Sequence, residues 1–279
     1  MSDGNPCVAE AIAEARSAGV ATLDAHLMLA RLMSVSRTWL IAHDDARLDT
    51  ALRARWQAWL HRRADGEPLA YLLGEKEFHG LRFEVSPAVL VPRPESELLV
   101  DWTRELIDAG GGRRDVVDLG TGSGAIALSI ACSCPAACVV ATDASETALS
   151  LARRNAQRLN LAVEFIASSW WDGLAGHRFD IVVANPPYVR HDDPALLALR
   201  HEPRQALTDG ADGLTALRAI VDSAPGHLRA DGWLVLEHGF DQADEVHRML
   251  ANAGFADIET RLDLARLPRA TGGRRRPSC

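Results

Sequence analysis

Two hydrophobic periodicities divide the chain. From Val8 to about Asp65 the apolar residues return every three or four positions, as at Leu23, Leu27, Ala30 and Met33, then at Leu52, Trp56, Trp59 and Leu60. That spacing gathers them on helix faces and predicts a small helical bundle. Between Gly66 and Glu97 the pattern breaks into Pro68, Gly74, Gly80, the run LRFEV, and Pro87, Pro92 and Pro94. Short β-like runs punctuated by turn formers predict a β-hairpin connector. The expected organisation is a helical domain over 1–66, the connector over 67–97 and a larger domain over 98–279.

In the larger domain short runs rich in β-branched residues alternate with helical segments. The runs are DVVDL (115–119), CVVATD (138–143), VEFIAS (163–168), FDIVVAN (179–185), GWLVLEH (232–238) and ADIETRL (256–262). Helices are expected from about Ala125, from about Ser145, around Leu214 to Leu228 and around Gln242 to Ala253. Near-continuous apolar strands separated by helices describe an α/β fold, a doubly wound and mostly parallel sheet with right-handed crossovers. Ligands of such sheets bind at the carboxyl ends of the strands beside the switch point, so the chemistry is expected just after 119, 143, 168 and 185.

Composition narrows the class. The 279 residues are 47% hydrophobic and 24% charged, the balance of a globular protein with room for one α/β domain and a smaller unit. A formal charge of -8 gives no overall attraction to phosphate backbones, so nucleic acid is not the default partner. The N-terminal stretch has neither a basic region nor a long apolar run, and no 18 consecutive residues are apolar; no membrane association and a cytoplasmic location are expected. Cys7, Cys132, Cys134, Cys138 and Cys279 show no second pair or histidine at zinc spacing. They are read as reduced core or near-core thiols, with no metal. Arg274, Arg275 and Arg276 are read as a solvated end.

The first strand of the sheet runs into Asp118-Leu119-Gly120-Thr121-Gly122-Ser123-Gly124-Ala125, whose glycines permit a tight turn and close approach of a ligand to the backbone. Asp143 closes the second strand, where a carboxylate can accept both hydroxyls of an adenosine ribose. Loop and carboxylate serve NAD and S-adenosylmethionine alike.

Asn185-Pro186-Pro187-Tyr188 discriminates between them. Two consecutive prolines stop a strand and hold the chain extended, fixing the Asn185 amide and the Pro186 carbonyl. An amide or aromatic amine nitrogen is a poor nucleophile because its lone pair is delocalised. Acceptors on both N–H bonds, from Asn185 Oδ1 and the Pro186 carbonyl, favour the pyramidal form and aim the lone pair at a sulfonium methyl group. Tyr188 supplies an aromatic wall. Methyl transfer to a planar nitrogen follows as the expected reaction, with Asn185, Pro186 and Tyr188 as its catalytic residues. No strong base is required, which leaves His79, His201 and His238 without a needed role.

Taken together, these motifs make the chain resemble the peptide chain release factor N5-glutamine methyltransferase (HemK) family. The resemblance runs through GEPLAYLLGEKEFHGLRFEVSPAVLVPRPESE (66–97), VVDLGTGSGAIALSIA, ATDAS, SSWWDGL, VVANPPYV, HEPRQALTDGADGL (201–214), LEHGFDQ and DLARLPRATGG. It implies a seven-stranded, Rossmann-like class I methyltransferase domain that methylates the glutamine of the Gly-Gly-Gln motif in class I release factors. It further implies that Gly120, Thr121, Gly122, Ser123 and Gly124 wrap the methionine part of S-adenosyl-L-methionine, that Asp143 binds the ribose and that Trp170 lies against the adenine. Asn185 would touch both cofactor and glutamine, with Pro186, Pro187 and Tyr188 completing the substrate site. Ser168-Ser169-Trp170 departs from the family's usual Ser-Asp-Trp, which removes an acidic adenine contact. The helical unit would dock the release factor, and a monomer is the working oligomeric state. Arg93 and Glu97 either line the substrate entrance or anchor the connector.

The rivals are a ribosomal-protein glutamine methyltransferase, an amino-methylating DNA or RNA enzyme, an NAD-dependent oxidoreductase and a non-catalytic binding module. The nucleic-acid enzymes would normally carry a basic groove, and an oxidoreductase leaves Asn185 to Tyr188 without a purpose.

Overall fold

A computed structural model of the chain describes residues 5–276. The chain divides into two compact units between Glu75 and Lys76.

The first unit is helical: α1 (Val8–Ser17), α2 (Thr22–Met33), α3 (Arg37–Ala42), α4 (Thr50–Ala64) and α5 (Leu69–Leu73). Ser36 and Asp49 start α3 and α4 as N-caps, their side chains accepting from Trp39 N and Leu52 N. The α2 stripe expected through Leu23, Leu27, Ala30 and Met33 is rotated: Ala25, Met28, Leu29 and Leu32 are buried and Leu23 is half exposed. The helix is apolar on more than one face, so spacing alone leaves its phase open. Packing around Leu40, Leu48 and Trp56 selects the face with small Ala25.

The second unit opens with a hairpin of β1 (Glu75–Phe78) and β2 (Leu81–Glu84). Its two-residue turn, His79-Gly80, has φ of 49° and 77°, the positive pair that matches strand twist. Then follow α6 (Glu97–Gly110), β3 (Asp115–Leu119), α7 (Ala125–Ser133), β4 (Cys138–Asp143), α8 (Glu146–Leu159), β5 (Glu164–Ala167) and β6 (Phe179–Ala184). The unit ends with α9 (Ala195–Ala198), α10 (Thr215–His227), β7 (Leu228–Glu237), α11 (Ala243–Asn252), β8 (Phe255–Leu262) and β9 (Pro268–Arg275).

Strands β3 to β9 form one seven-stranded sheet in the order β5-β4-β3-β6-β7-β9-β8, parallel as far as β7 and antiparallel at β9 and β8. Successive residues alternate between its faces: Val116, Ile181 and Val183 join one core, and Val117, Leu119, Val182 and Ala184 the other. Both faces are covered, which is why these strands read as unbroken apolar runs.

The C-terminal arginines are not a solvated end. Arg274 and Arg275 belong to β9, where Arg274 pairs with Asp257 and Asp231, and Arg275 donates to the Leu228 carbonyl. Of the three, Arg276 lies beyond the strand and is exposed. The thiol reading also needs one correction: Cys7, Cys132, Cys134 and Cys138 are free, but Cys132 is exposed. Cys279 lies outside the described residues. Among the described residues no helix is long and apolar enough to cross a membrane, and no His, Cys, Asp and Glu cluster is suited to a metal.

Candidate active site

Strand register brings the motifs together. β3 lies between β4 and β6, with Leu119 opposite both Thr142 and Ala184, so Gly120, Asp143 and Asn185 emerge side by side where the sheet reverses its order. Asp143 pairs with Ala167, which adds Ser168 to Trp170 to the same edge. A cavity of about 520 Å³ opens there. Gly120, Thr121, Gly122, Ser123, Asp143, Trp170, Asn185 and Pro187 line it, together with Val89, Leu90, Pro92 and Arg93 of the connector and Pro203.

The loop is fixed by backbone bonds. Gly120 N and Thr121 N both donate to the Thr142 carbonyl, and Gly122 N donates to Asp143 Oδ2 at 2.9 Å. Asp143 Oδ1 accepts Ser145 N at 2.8 Å. Burial raises the Asp143 carboxyl above its ordinary value, and these amides pull it back. A Cβ on Gly120 would meet the Trp170 ring at 3.3 Å, so the glycine keeps the space between loop and indole. Gly124 is set back from the cavity: a Cβ there would meet Leu128 at 3.0 Å and Ala152 at 3.2 Å, which ties its size to α7 and α8.

Asn185 is held from behind. Its Nδ2 donates to Ser96 Oγ at 3.0 Å, Ser96 Oγ donates to Glu237 Oε2 at 2.6 Å, and Tyr188 OH donates to Glu237 Oε1 at 3.0 Å. Burial carries the Glu237 carboxyl up to about 7, against the bonds from Ser96 and Tyr188 and the charge of Arg269. Burial, and then the Glu237 charge, raise the Tyr188 phenol. Pro186 is buried, and neither it nor Tyr188 lines the cavity. The Tyr188 carbonyl accepts Gln242 Nε2 at 3.1 Å and lies 2.3 Å from where a Cβ on Gly213 would sit, so only glycine fits at Gly213.

Arg93 lines the cavity and pairs with Glu202, whose other oxygen accepts Val91 N at 3.0 Å. Glu97 serves the hairpin instead, accepting His79 N at 2.9 Å. His79 is a turn residue beside Asp101, and His238 is fully buried between the Gly239 carbonyl and Thr271, with burial lowering its basicity. None of His79, His201 and His238 lines the cavity.

The residues that the sequence reading missed are the supports: Ser96, Glu237, Glu202, Gly213 and Gln242. All lie inside the quoted motifs, but nothing along the chain says that Ser96 and Glu237, 141 positions apart, meet.

Family models account for both units. One for the methyltransferase small domain matches residues 95–253, and one for the PrmC N-terminal domain matches residues 7–74. A release factor glutamine methyltransferase of Burkholderia pseudomallei is 48% identical across 98% of this chain and 99% of its own. The chain belongs to the release factor glutamine methyltransferase family. A second relative of that name, from Bordetella pertussis, is 45% identical across 91% of this chain and 95% of its own. A methyltransferase of Pyrococcus furiosus, 20% identical with a TM-score of 0.55 over 81% of this chain and 98% of that one, shares the fold.

As a member of this family the chain is an S-adenosylmethionine-dependent methyltransferase, which sets aside the oxidoreductase and binding-module readings. The cavity fits that cofactor. A carboxylate offers about four acceptor directions, so Asp143 retains capacity beyond its two amide bonds. Gly120 leaves the loop backbone open beside the Trp170 indole.

Proposed function

We propose that the chain methylates N5 of the glutamine in the Gly-Gly-Gln motif of class I release factors. The observation that carries this is the locked Asn185 amide, whose nitrogen is engaged by Ser96, leaving Oδ1 as the end that meets a substrate. An exposed acceptor at the strand end selects a substrate N–H, as a primary amide provides. Gly120 to Ser123, Asp143 and Trp170 would hold S-adenosylmethionine, which would supply a methyl group activated by its sulfonium.

The protein's own contribution is orientation. Asn185 Oδ1 accepts an N–H bond of the glutamine amide, opposes delocalisation of its lone pair and holds that lone pair towards the methyl donor, while the buried Pro186 fixes the backbone that carries Asn185. Tyr188 acts from behind, through Glu237. No group has to remove the proton before transfer, because alkylation makes it acidic. The identity of the relatives favours release factors over ribosomal proteins as the source of the glutamine. The helical unit docks that protein, and the enzyme works as a cytoplasmic monomer without nucleic acid or membrane.

Asn185→Ala tests the clamp. Turnover on a release factor should fall by roughly a hundredfold to a thousandfold, the effect of removing one preorganised hydrogen-bond partner, while calorimetric cofactor affinity changes little. Unchanged turnover would contradict it.

A further inference from the structure

The chain of bonds behind Asn185 has a direction, and Glu237 decides it. An ionised carboxylate only accepts, so Ser96 Oγ gives its single proton to Glu237 Oε2 and offers a lone pair to Asn185 Nδ2. Tyr188 OH likewise gives its proton to Glu237 Oε1. In this arrangement Asn185 is fixed with Oδ1 outward. Protonated on Oε2, with Oε1 still accepting from Tyr188, Glu237 donates to Ser96 Oγ, and the Ser96 proton turns to its other partner, Asn185. Only Oδ1 can accept it, so the amide turns over and Nδ2 takes the outward place. A donor facing the N–H bonds of a substrate amide repels them.

We infer that Glu237 is a positioning residue that acts through Ser96 to choose which end of the Asn185 amide meets the substrate, so that one proton switches the clamp from accepting to rejecting. The inference rests on Asn185 being the acceptor for the substrate amide. The groups that face Glu237 are Ser96 and Glu95 ahead of α6, Tyr188 after β6 and Arg269 on β9. Arg269 favours its charge and Glu95 opposes it, but burial outweighs both and brings the proton within reach near neutral pH. Neither the glutamine amide nor Asn185 titrates in that range, and Asp118, also carried up to about 7, bonds Thr121 and Ala127 rather than the Asn185 relay, so Glu237 is the group that reaches the clamp.

The test is kcat against pH, with saturating cofactor and release factor, for the wild type, Glu237→Gln and Ser96→Ala. The wild type should lose turnover on the acid side with an apparent pKa near 7. Glutamine at 237 keeps the shape, accepts from Tyr188 and donates to Ser96, so it mimics the protonated state. Its kcat should be down roughly tenfold or more and flat with pH, with calorimetric cofactor affinity unchanged. Ser96→Ala cuts the relay and should also flatten the profile, which keeps the test open if the 237 variant does not fold. A mere brace would lower activity without moving the acid limb. An acid limb retained in either folded variant overturns the inference alone. Absence of transfer to the release factor by the wild type at every pH overturns the substrate reading and the inference with it.

Discussion

Asp118 and Glu237 are carboxyls buried almost completely at the ends of β3 and β7, and burial is the largest influence on both, carrying each up to about 7. A carboxyl that binds its proton more tightly folded than unfolded makes the native state hold protons that the unfolded chain has released. Their contribution to stability is therefore fully present below the unfolded value near 4 and is lost as pH rises through 7, on the order of 3 kcal/mol for each group. Asp118→Asn should reduce that loss. Asp118 Oδ2 accepts from Thr121 Oγ1 and Ala127 N, while Oδ1 has no partner, so a neutral amide retains the bonds that matter. Denaturant midpoints at about pH 5 and 8 should differ less in the variant than in the wild type; an equal difference would contradict the assignment. At this scale the sequence exposes the residues that terminate strands. Gly120, Asp143 and Asn185 are recognisable because a break in an apolar run marks each position. Ser96 and Glu237 carry no such mark, because their role comes from a contact between distant parts of the chain.

Among the elements, one side chain bonds both the hairpin and the catalytic loop. Asn155, buried on α8, accepts Glu84 N at 2.7 Å and donates to the Glu84 carbonyl at 3.0 Å and the Ser123 carbonyl at 2.9 Å. Asn155→Ala strands the buried Ser123 carbonyl and the half-buried Glu84 groups and should cost about 2–4 kcal/mol in chemical denaturation; a loss under about half a kcal/mol would show that water replaces the clamp. The helical face of α2 and the strand β9 were the elements least legible beforehand, for opposite reasons. α2 carries too many apolar residues to show its phase. β9 carries too few: PRATGGRR has no apolar run, yet Ala270 to Gly273 are buried. Gly272 packs so tightly that a Cβ would stand 2.9 Å from both the Leu234 carbonyl and the Trp102 ring. A strand whose backbone does the packing leaves no hydrophobic period to read, and its arginines then resemble a tail. The parallel strands β3, β4 and β6 were legible because burial on both faces demands continuous β-branched residues.

For the whole molecule, the net charge of -8 and the two matched domains agree with the proposal of a protein substrate rather than a phosphate backbone. The glycine loop alone fits many nucleotide folds; joined to Asn185 through the β3–β6 register it agrees with the proposed methyl transfer to nitrogen. The full-length identity to release factor glutamine methyltransferases points to the substrate. The most direct measurement is transfer of labelled methyl from S-adenosylmethionine to a purified class I release factor, run beside a release factor with Gln→Ala in its Gly-Gly-Gln motif, a ribosomal protein fraction and DNA. Methylation at that glutamine predicts label on the intact release factor and none on the altered one. Label on the altered factor, or only on ribosomal protein or DNA, would contradict it.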